Sequence, residues 1–447
     1  MKAFISTYPR RSTRNPCVFG GAAFVLTVLI LLIHYAAKYG LNAPPSTTGD
    51  EISYDRIGWN LAHGAGFSEG GDDPEFFRPY DQVGAYSPEH VARRHFSQAE
   101  PVAYRPPMFP LALAGLNVVC GRQFWAVRIL NVLATAGTCA VLVWYLTKAH
   151  GRAAALTAFC MFLVIDTRTR LFGRAILTEA TATFFMTIAT MLLIQLSDIV
   201  RLRTVMLLGI VAGVMVLDRT IFALWLPGMA LIVYALSRCT SSDGAASGAL
   251  RCMRGGFPVA AVFLVVTGIV VLPWAVRNIS VLGAMMPLGT QGMTQLPAGF
   301  SDHAVEMEGV WDPEPAAQLV RMIDAGATTR LERDVDRAHL GKTTALSWIR
   351  QNPQASLWLA GMKVWQEYRP RAFTEWFISV SALAGLLLSV GRRDTRIFLA
   401  LHTVNCFSIG CTWSVEGRFV VPLMFSIHVL AAVALSYPLR AVRHLLT

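Results

Sequence analysis

Val18-Phe19-Gly20-Gly21-Ala22-Ala23-Phe24-Val25-Leu26-Thr27-Val28-Leu29-Ile30-Leu31-Leu32-Ile33-His34-Tyr35-Ala36-Ala37 carries no charge. Roughly 20 such residues are what a helix needs to cross the hydrocarbon core, because a helix satisfies its own backbone polar groups. Shortly after it comes Gly49-Asp50-Glu51-Ile52-Ser53-Tyr54, with two adjacent carboxylates at the membrane surface. Acidic residues at that depth need a reason.

The rest of the chain repeats the first half of this pattern. Hydrophobic residues make up 54% of 447 positions against 15% charged, with a mean hydropathy of +0.47. That excludes an ordinary soluble core and points to an all-α polytopic membrane protein. Spans are expected near 18–37, 124–147, 153–167, 178–196, 204–217, 220–237, 256–275, 372–390, 397–414 and 419–437. Basic residues then cluster at alternate ends: Lys2, Arg10, Arg11 and Arg14; Lys148 and Arg152; Arg201 and Arg203; Arg238, Arg251 and Arg254; Arg392, Arg393 and Arg396; Arg440 and Arg443. Ten spans place all six clusters and both termini in the cytoplasm. The net charge of +11 is therefore mostly a topology signal and does not indicate nucleic acid.

The N-terminus has basic residues before an apolar run, but no clear small-residue cleavage site, and reads as an uncleaved anchor. None of the eight cysteines forms a CxxC pair, so neither a disulfide framework nor a cysteine metal site is expected. One integral membrane domain, 1–447, accounts for the chain. The first outer segment, 38–123, has a helical stretch Asp50–His63, a Gly-rich turn, a polar insertion Glu69–Ala103 and a short apolar helix Pro107–Cys120. That last helix suits the membrane surface or a re-entrant position better than a span. The second outer segment, 277–371, has helical patterning over Ala316–Ile349 and Pro353–Tyr368, and 238–256 reads as a cytoplasmic linker.

Setting the cytoplasmic clusters aside leaves charges at the outer helix ends: Asp50, Glu51, Arg105, Arg174, Glu179, Asp218, Arg219, Arg277, Arg369, Arg371, Glu416 and Arg418. Arginine there works against the positive-inside bias. Two readings fit. The charges are separate interfacial anchors and helix-end ion pairs, or they line one cavity whose guanidiniums grip phosphate through bidentate hydrogen bonds. Thr48-Gly49-Asp50-Glu51 is also an acceptable capping box, with Thr48 as N-cap and Glu51 at N3. That box does not require an acid at Asp50, and a carboxylate above a lipid-phosphate cavity can act as general base.

Other motifs carry less. In the insertion, Asp72, Asp73, Glu75, His90 and His95 read as a solvated polar loop before they read as metal ligands. Asp334-Val335-Asp336 spells DxD, but residues two apart do not share a helix face. The Gly-rich pieces match neither a Rossmann fingerprint nor a P-loop.

The order Asp50-Glu51-x-x-Tyr54, Asn60-Leu61-Ala62-His63-Gly64-Ala65-Gly66-Phe67-Ser68, Tyr104-Arg105-Pro106-Pro107, Leu177-Thr178-Glu179, Pro273-Trp274-Ala275-Val276-Arg277-Asn278 and Gly417-Arg418-Phe419-x-x-Pro422 resembles the GT-C membrane glycosyltransferases. The resembling branch is the glycosyltransferase family 39-like group, related to protein O-mannosyltransferases and aminoarabinose transferases. The resemblance spans nearly the whole chain and implies a GT-C fold with extracytoplasmic surface helices. It also implies transfer of a sugar from a polyprenyl phosphate to an acceptor glycan, lipid or protein on the outer side of the inner (plasma) membrane. By the same resemblance Asp50 matches the catalytic acid and Glu51 its neighbour. Arg105, Arg277 and Arg418 are the candidates for donor phosphate; Tyr54, Tyr104, Arg174, Glu179 and Arg219 are candidates for the cavity lining.

Departures from the group are the long insertion Glu69–Ala103 and the lack of a folded domain after the last span. No cofactor is expected, and a divalent metal is not obviously required. A transporter or flippase of lipid-linked sugars, or a binder without turnover, would use the same outer charges; the former class more often shows repeats and midplane charges.

Overall fold

A computed structural model of the chain describes residues 15–47, 49–84, 99–241, 256–323 and 329–446. The opening apolar run forms α1 (Pro16–Tyr39), started by Asn15, whose side chain accepts the Cys17 N–H, and by Pro16 at the first turn. Then come α2 (Asp50–Ala62), α3 (Pro74–Gln82) and α4 (Met108–Cys120), each too short to cross the hydrocarbon alone. The long helix α5 (Phe124–Ala149) packs on α1 and leads to α6 (Arg152–Cys160), a π-helical turn Met161–Ile165, α7 (Thr167–Arg174) and α8 (Glu179–Asp198). Next come α9 (Leu202–Asp218), α10 (Leu226–Ser241) and α11 (Gly256–Leu282).

Residues 277–371 contribute α12 (Glu314–Ile323), α13 (Arg330–Gln351) and α14 (Pro353–Tyr368). The chain continues through α15 (Phe373–Ser389), α16 (Arg393–Gly410) and α17 (Met424–Leu446). A short antiparallel pair, β1 (Ser68–Glu69) with β2 (Glu100–Pro101), joins the two ends of the insertion.

All ten predicted spans are helical over most of their length, but they differ in kind. Among the described residues, five stretches are long and apolar enough to cross alone: α1, α5, α8, Thr220–Cys239 and α11. A sixth counts if α14 and α15, bent by 107° at their junction, are one broken span. Helices α9 and α15 have 17 residues each, a rise of about 26 Å, so their flanking turns must complete any crossing. The segment expected at 153–167 ends in the π-helical turn, and the one expected at 397–414 stops at Gly410. The chain is a multi-pass membrane protein. Its outer surface fits that setting: Leu29 and Ile33 on α1, Val265 and Ile269 on α11 and Leu383 and Leu387 on α15 are exposed.

The core falls into two apolar clusters. One joins α1, α5, α6, α15 and α17; the other joins α8, α9, α10, α11 and α16. Helix α8 lies between them. Its threonines 183, 187 and 190 are buried, and each donates back to the carbonyl four residues earlier, so a polar row crosses the interior satisfied.

The insertion departs from the polar loop expected. Phe76, Phe77 and Tyr80 share one face of α3 and bury against Trp59 of α2, so apolar burial orders residues 69–84. Asp73 caps α3 by accepting the Glu75 N–H at 2.9 Å and takes the Trp59 indole N–H at 2.7 Å. His90, His95 and Thr48 lie outside the described residues, as do Lys2, Arg10, Arg11, Arg14, Arg251 and Arg254. Asp334 faces Arg337 at 3.6 Å on α13. The capping box is replaced: Gly49 is the N-cap of α2, at φ 79°, and provides no side-chain cap.

Candidate functional site

Five segments far apart in sequence bring charges to one place. Asp50 stands in the first turn of α2, Arg105 just before α4, Glu179 at the start of α8, Arg219 just after α9, and Arg418 in the turn before α17. One oxygen of Asp50 takes an Arg105 N–H at 2.7 Å, and the other takes an Arg418 N–H at 2.7 Å. Arg418 also donates through Nε to Glu179 Oε1, which Arg219 Nη1 reaches at 2.7 Å. Beyond Glu179, Asp218 accepts the Thr181 hydroxyl at 2.9 Å. Glu179 is wholly buried and the Arg105 side chain is 5% exposed, whereas the Asp50 side chain keeps 26%. The carboxylate in the middle is the accessible one.

The energetics argue that such a cluster is kept for something other than stability. Withdrawing two charges from water costs several kcal/mol per ion, and mutual attraction recovers it only with good geometry. Burial pushes the Asp50 carboxyl up, but Arg105 and Arg418 outweigh it and hold it well below the ordinary range. Burial likewise disfavours charge on Arg105 and Arg418, and their carboxylate and phenol neighbours restore it. The site is a fixed array of full charges.

Each arginine is held from behind. Pro106 favours extended backbone at Arg105, whose guanidinium lies 5.1 Å from the Tyr54 ring and 4.6 Å from the Tyr104 ring. Arg105 Nε donates to Ser53 Oγ at 3.1 Å. Ser53 donates to Glu69, and Glu69 pairs with Arg330 of α13, which ties α13 to the site. Burial raises the Tyr54 phenol to about 12, so it stays protonated.

The Arg418 turn hangs on one buried carboxylate. Glu367 of α14 accepts the Ser414 hydroxyl at 2.9 Å, the Val415 N–H and the Phe419 N–H at 3.0 Å. Glu416 at φ 54° and Gly417 at φ 96° are two successive left-handed residues in that turn.

Other expected site residues do not meet the cluster. Glu51 accepts backbone N–H groups of Ser46 at 2.6 Å and Ile176 at 2.9 Å, so both its oxygens hold chain. Arg277 donates to the carbonyls of Val102 at 2.6 Å and Phe67 at 3.2 Å, and lies 4.9 Å from the Trp274 ring. It clamps the strands that precede Tyr104 and Arg105. Arg174 stacks on Tyr39 at 3.9 Å. Sequence reasoning missed Ser53, Glu69, Arg330 and Glu367. The signal for Glu367 was present in Gln366-Glu367-Tyr368-Arg369, a polar patch ending an otherwise apolar helix.

Residues 104–274 match the family model described as dolichyl-phosphate-mannose-protein mannosyltransferase. That stretch is similar to the protein mannosyltransferases. The match runs from Tyr104-Arg105 through Glu179 and Arg219 to Trp274, and it supports the likeness to GT-C glycosyltransferases read from the motifs. Among solved structures, ArnT from Cupriavidus metallidurans aligns in its apo state at 14% identity and a TM-score of 0.36. The same protein bound to undecaprenyl phosphate aligns at 14% identity and a TM-score of 0.40. Both alignments cover 93% of this chain and 78% of the other. No curated protein matches.

Proposed function

We propose that the chain is a glycosyltransferase that moves a sugar from a polyprenyl phosphate to an acceptor at the extracytoplasmic face, with inversion at the anomeric carbon. The observation that carries the reading is Asp50 shared between Arg105 and Arg418, half-open above a buried Glu179–Arg219 pair. A general base beside two guanidiniums is what an acceptor hydroxyl and a phosphate leaving group together require.

The acceptor O–H attacks the anomeric carbon as the bond from that carbon to the phosphate oxygen breaks. The acceptor proton passes to Asp50, and the bonding pair leaves with the polyprenyl phosphate, whose charge Arg105 and Arg418 take up. In the unliganded chain those arginines are bound to Asp50 and depress its basicity. Donor phosphate competes for the same N–H groups, so binding releases the carboxylate and returns its pKa toward the range where it accepts a proton. Glu179 and Arg219 keep Arg418 aligned while it changes partner. Ser53, Glu69 and Arg330 run from Arg105 to the second outer segment, which makes α13 a candidate for acceptor contact.

The test is sugar transfer from a panel of radiolabelled polyprenyl-phosphate sugars, with membranes containing wild type or Asp50→Asn and the candidate acceptors. Transfer by wild type that collapses in the variant, with donor still bound, supports the reading and names the donor. Donor binding with no transfer from any donor to any acceptor, unchanged by the substitution, overturns it in favour of a carrier.

A further inference from the structure

We propose a second anion site at the opposite end of the helix bundle, between α5, α8 and α16, that takes the phosphate headgroup of a membrane lipid. Helix α8 runs 20 residues from Glu179 to Asp198. At 1.5 Å per residue that is about 30 Å, one hydrocarbon thickness. Its far end therefore meets the other membrane surface, which the basic clusters place in the cytoplasm.

A cavity of about 410 Å³ opens there, lined in part by Trp144, Lys148, Met191, Ile194, Arg392 and Arg393. That volume is within the range of small-molecule sites. Three cations come from two sequence regions more than two hundred residues apart, so their meeting is a property of the fold and not of one basic run.

The polar floor of the cavity is already neutral. Asp394 accepts the Tyr145 hydroxyl, Arg392 Nη2 at 2.7 Å and the Thr395 N–H at 2.8 Å. Arg393 spends Nη1 on the Ser197 carbonyl at 3.1 Å and makes no ion pair among the described residues. Lys148 is exposed, lies 5.3 Å from the Trp144 ring and makes no ion pair among the described residues. The remaining lining acid is Asp198, exposed at the rim. With Arg392 committed to Asp394, Lys148 and Arg393 face one exposed carboxylate, Asp198, and this net positive charge favours an anion.

The walls identify the anion's carrier. Met191, Ile194 and Trp144 are apolar, and Trp144 packs against Gly20 of α1, whose outer face is an exposed apolar strip. The cavity thus opens beside the bilayer at headgroup depth. A phosphate ester with an acyl or prenyl chain fits both surfaces; a soluble phosphate fits only one. Basic pockets between spans on this side are suited to such headgroups.

Native mass spectrometry of the purified full chain in neutral detergent tests this, with phosphatidylglycerol, polyprenyl phosphate and glycerol 3-phosphate added separately. Wild type is expected to retain a phosphate lipid, and Lys148→Ala with Arg393→Ala to retain about tenfold less. The lipid whose retention falls is the site's source. Asp198→Asn, on an exposed side chain, is expected to raise retention and decides the matter if the double variant does not fold. Retention of both lipids unchanged in these variants, retention of neither lipid by wild type, or glycerol 3-phosphate held as well as the lipids overturns the proposal. Loss that follows Arg105→Ala and not Lys148→Ala with Arg393→Ala overturns it too, by assigning the lipid to the Asp50 cluster.

Discussion

Asp50 and Asp55 stand little more than one turn apart on α2, and each meets arginine, yet they end differently. Asp55 takes both Arg122 N–H donors at 2.6 Å and the Tyr80 hydroxyl at 2.7 Å. Arg122 is in turn surrounded by Trp59, Phe76 and Phe124, each ring within 5 Å. That pair is closed: the acid takes both donors of one arginine, and aromatic rings wall it, with Arg56 packed on the Phe76 ring at 3.7 Å. Asp50 splits its oxygens between two arginines from different segments and stays partly exposed. A closed pair fastens α2 and α3 to α5, whereas an open, shared one can exchange partners with a ligand. Ion-pair geometry, more than burial alone, separates the two roles.

The largest expected effect breaks the open pair. Asp50→Asn keeps the shape but removes the base, and transfer should fall by about 10²–10⁴-fold, with donor retained on Arg105 and Arg418. Initial rates with a labelled donor read this directly. An effect confined to KM would assign Asp50 to binding alone.

Breaking the closed pair should instead cost stability. Asp55→Ala leaves Arg122 charged and buried, and thermal unfolding should show a loss of about 3–5 kcal/mol. Transfer per folded molecule should change far less than in Asp50→Asn. If Asp55→Ala lost transfer while keeping its Tm, the two acids would share a role and the comparison would fail.

A third substitution tests how the open site is held. Glu367→Gln leaves one acceptor oxygen for three donors from residues 414–419 and should loosen Arg418. A fall of about tenfold in kcat/KM is expected, an unmade charged hydrogen bond being worth roughly 1.5–3 kcal/mol. Combined with Arg418→Lys, the second substitution should add little, because both act through one guanidinium.

The pH dependence sharpens the contrast further. Arg105 and Arg418 hold Asp50 below the ordinary carboxylate range in the folded chain. Its folded pKa is thus lower than its unfolded one, so its contribution to stability is full above the unfolded value and is lost as pH falls through the folded value. Arg418→Gln removes one cause, and the acid limb of kcat/KM should move up by about one unit. A pH–rate profile that did not move would show that Arg418 is not what sets the Asp50 charge in the free enzyme.

These roles were unequally legible in the sequence. Continuous apolar runs announce α1, α5, α8 and α11, because a crossing helix must be apolar nearly all round. Arg105, Arg219 and Arg418 stand out because arginine at those helix ends contradicts the positive-inside bias, and Asp50 and Glu179 because acids at membrane depth need a partner. Arg277 looked the same by that criterion, but its partners are the carbonyls of Phe67 and Val102, and backbone acceptors leave no mark in a sequence. Helix α3 was hidden because its aromatic face sits in a segment polar by composition. Glu367 sits in a visible polar patch, but its role was not legible, because its three donors lie some fifty residues away in the Ser414–Phe419 turn.

The smallest expected effect concerns Glu51, the neighbour that sequence pairs with Asp50 as a catalytic candidate. Its two oxygens hold the N–H groups of Ser46 and Ile176, at either side of α2, so it stitches the segment after α1 to the one before α8. Glutamine in its place keeps one oxygen and can retain one of these bonds. The loss should be on the order of 1–3 kcal/mol of stability, with transfer per folded enzyme within a few-fold of wild type. Asp50 and Glu51 would then differ as Asp50 and Asp55 do, although only one peptide bond separates them: the acid whose oxygens meet arginines would act on substrate, and the acid whose oxygens meet backbone would hold the chain. Initial rates set beside unfolding curves for Glu51→Gln decide it, since a 10²-fold rate loss at unchanged Tm would place Glu51 beside Asp50 in the chemistry.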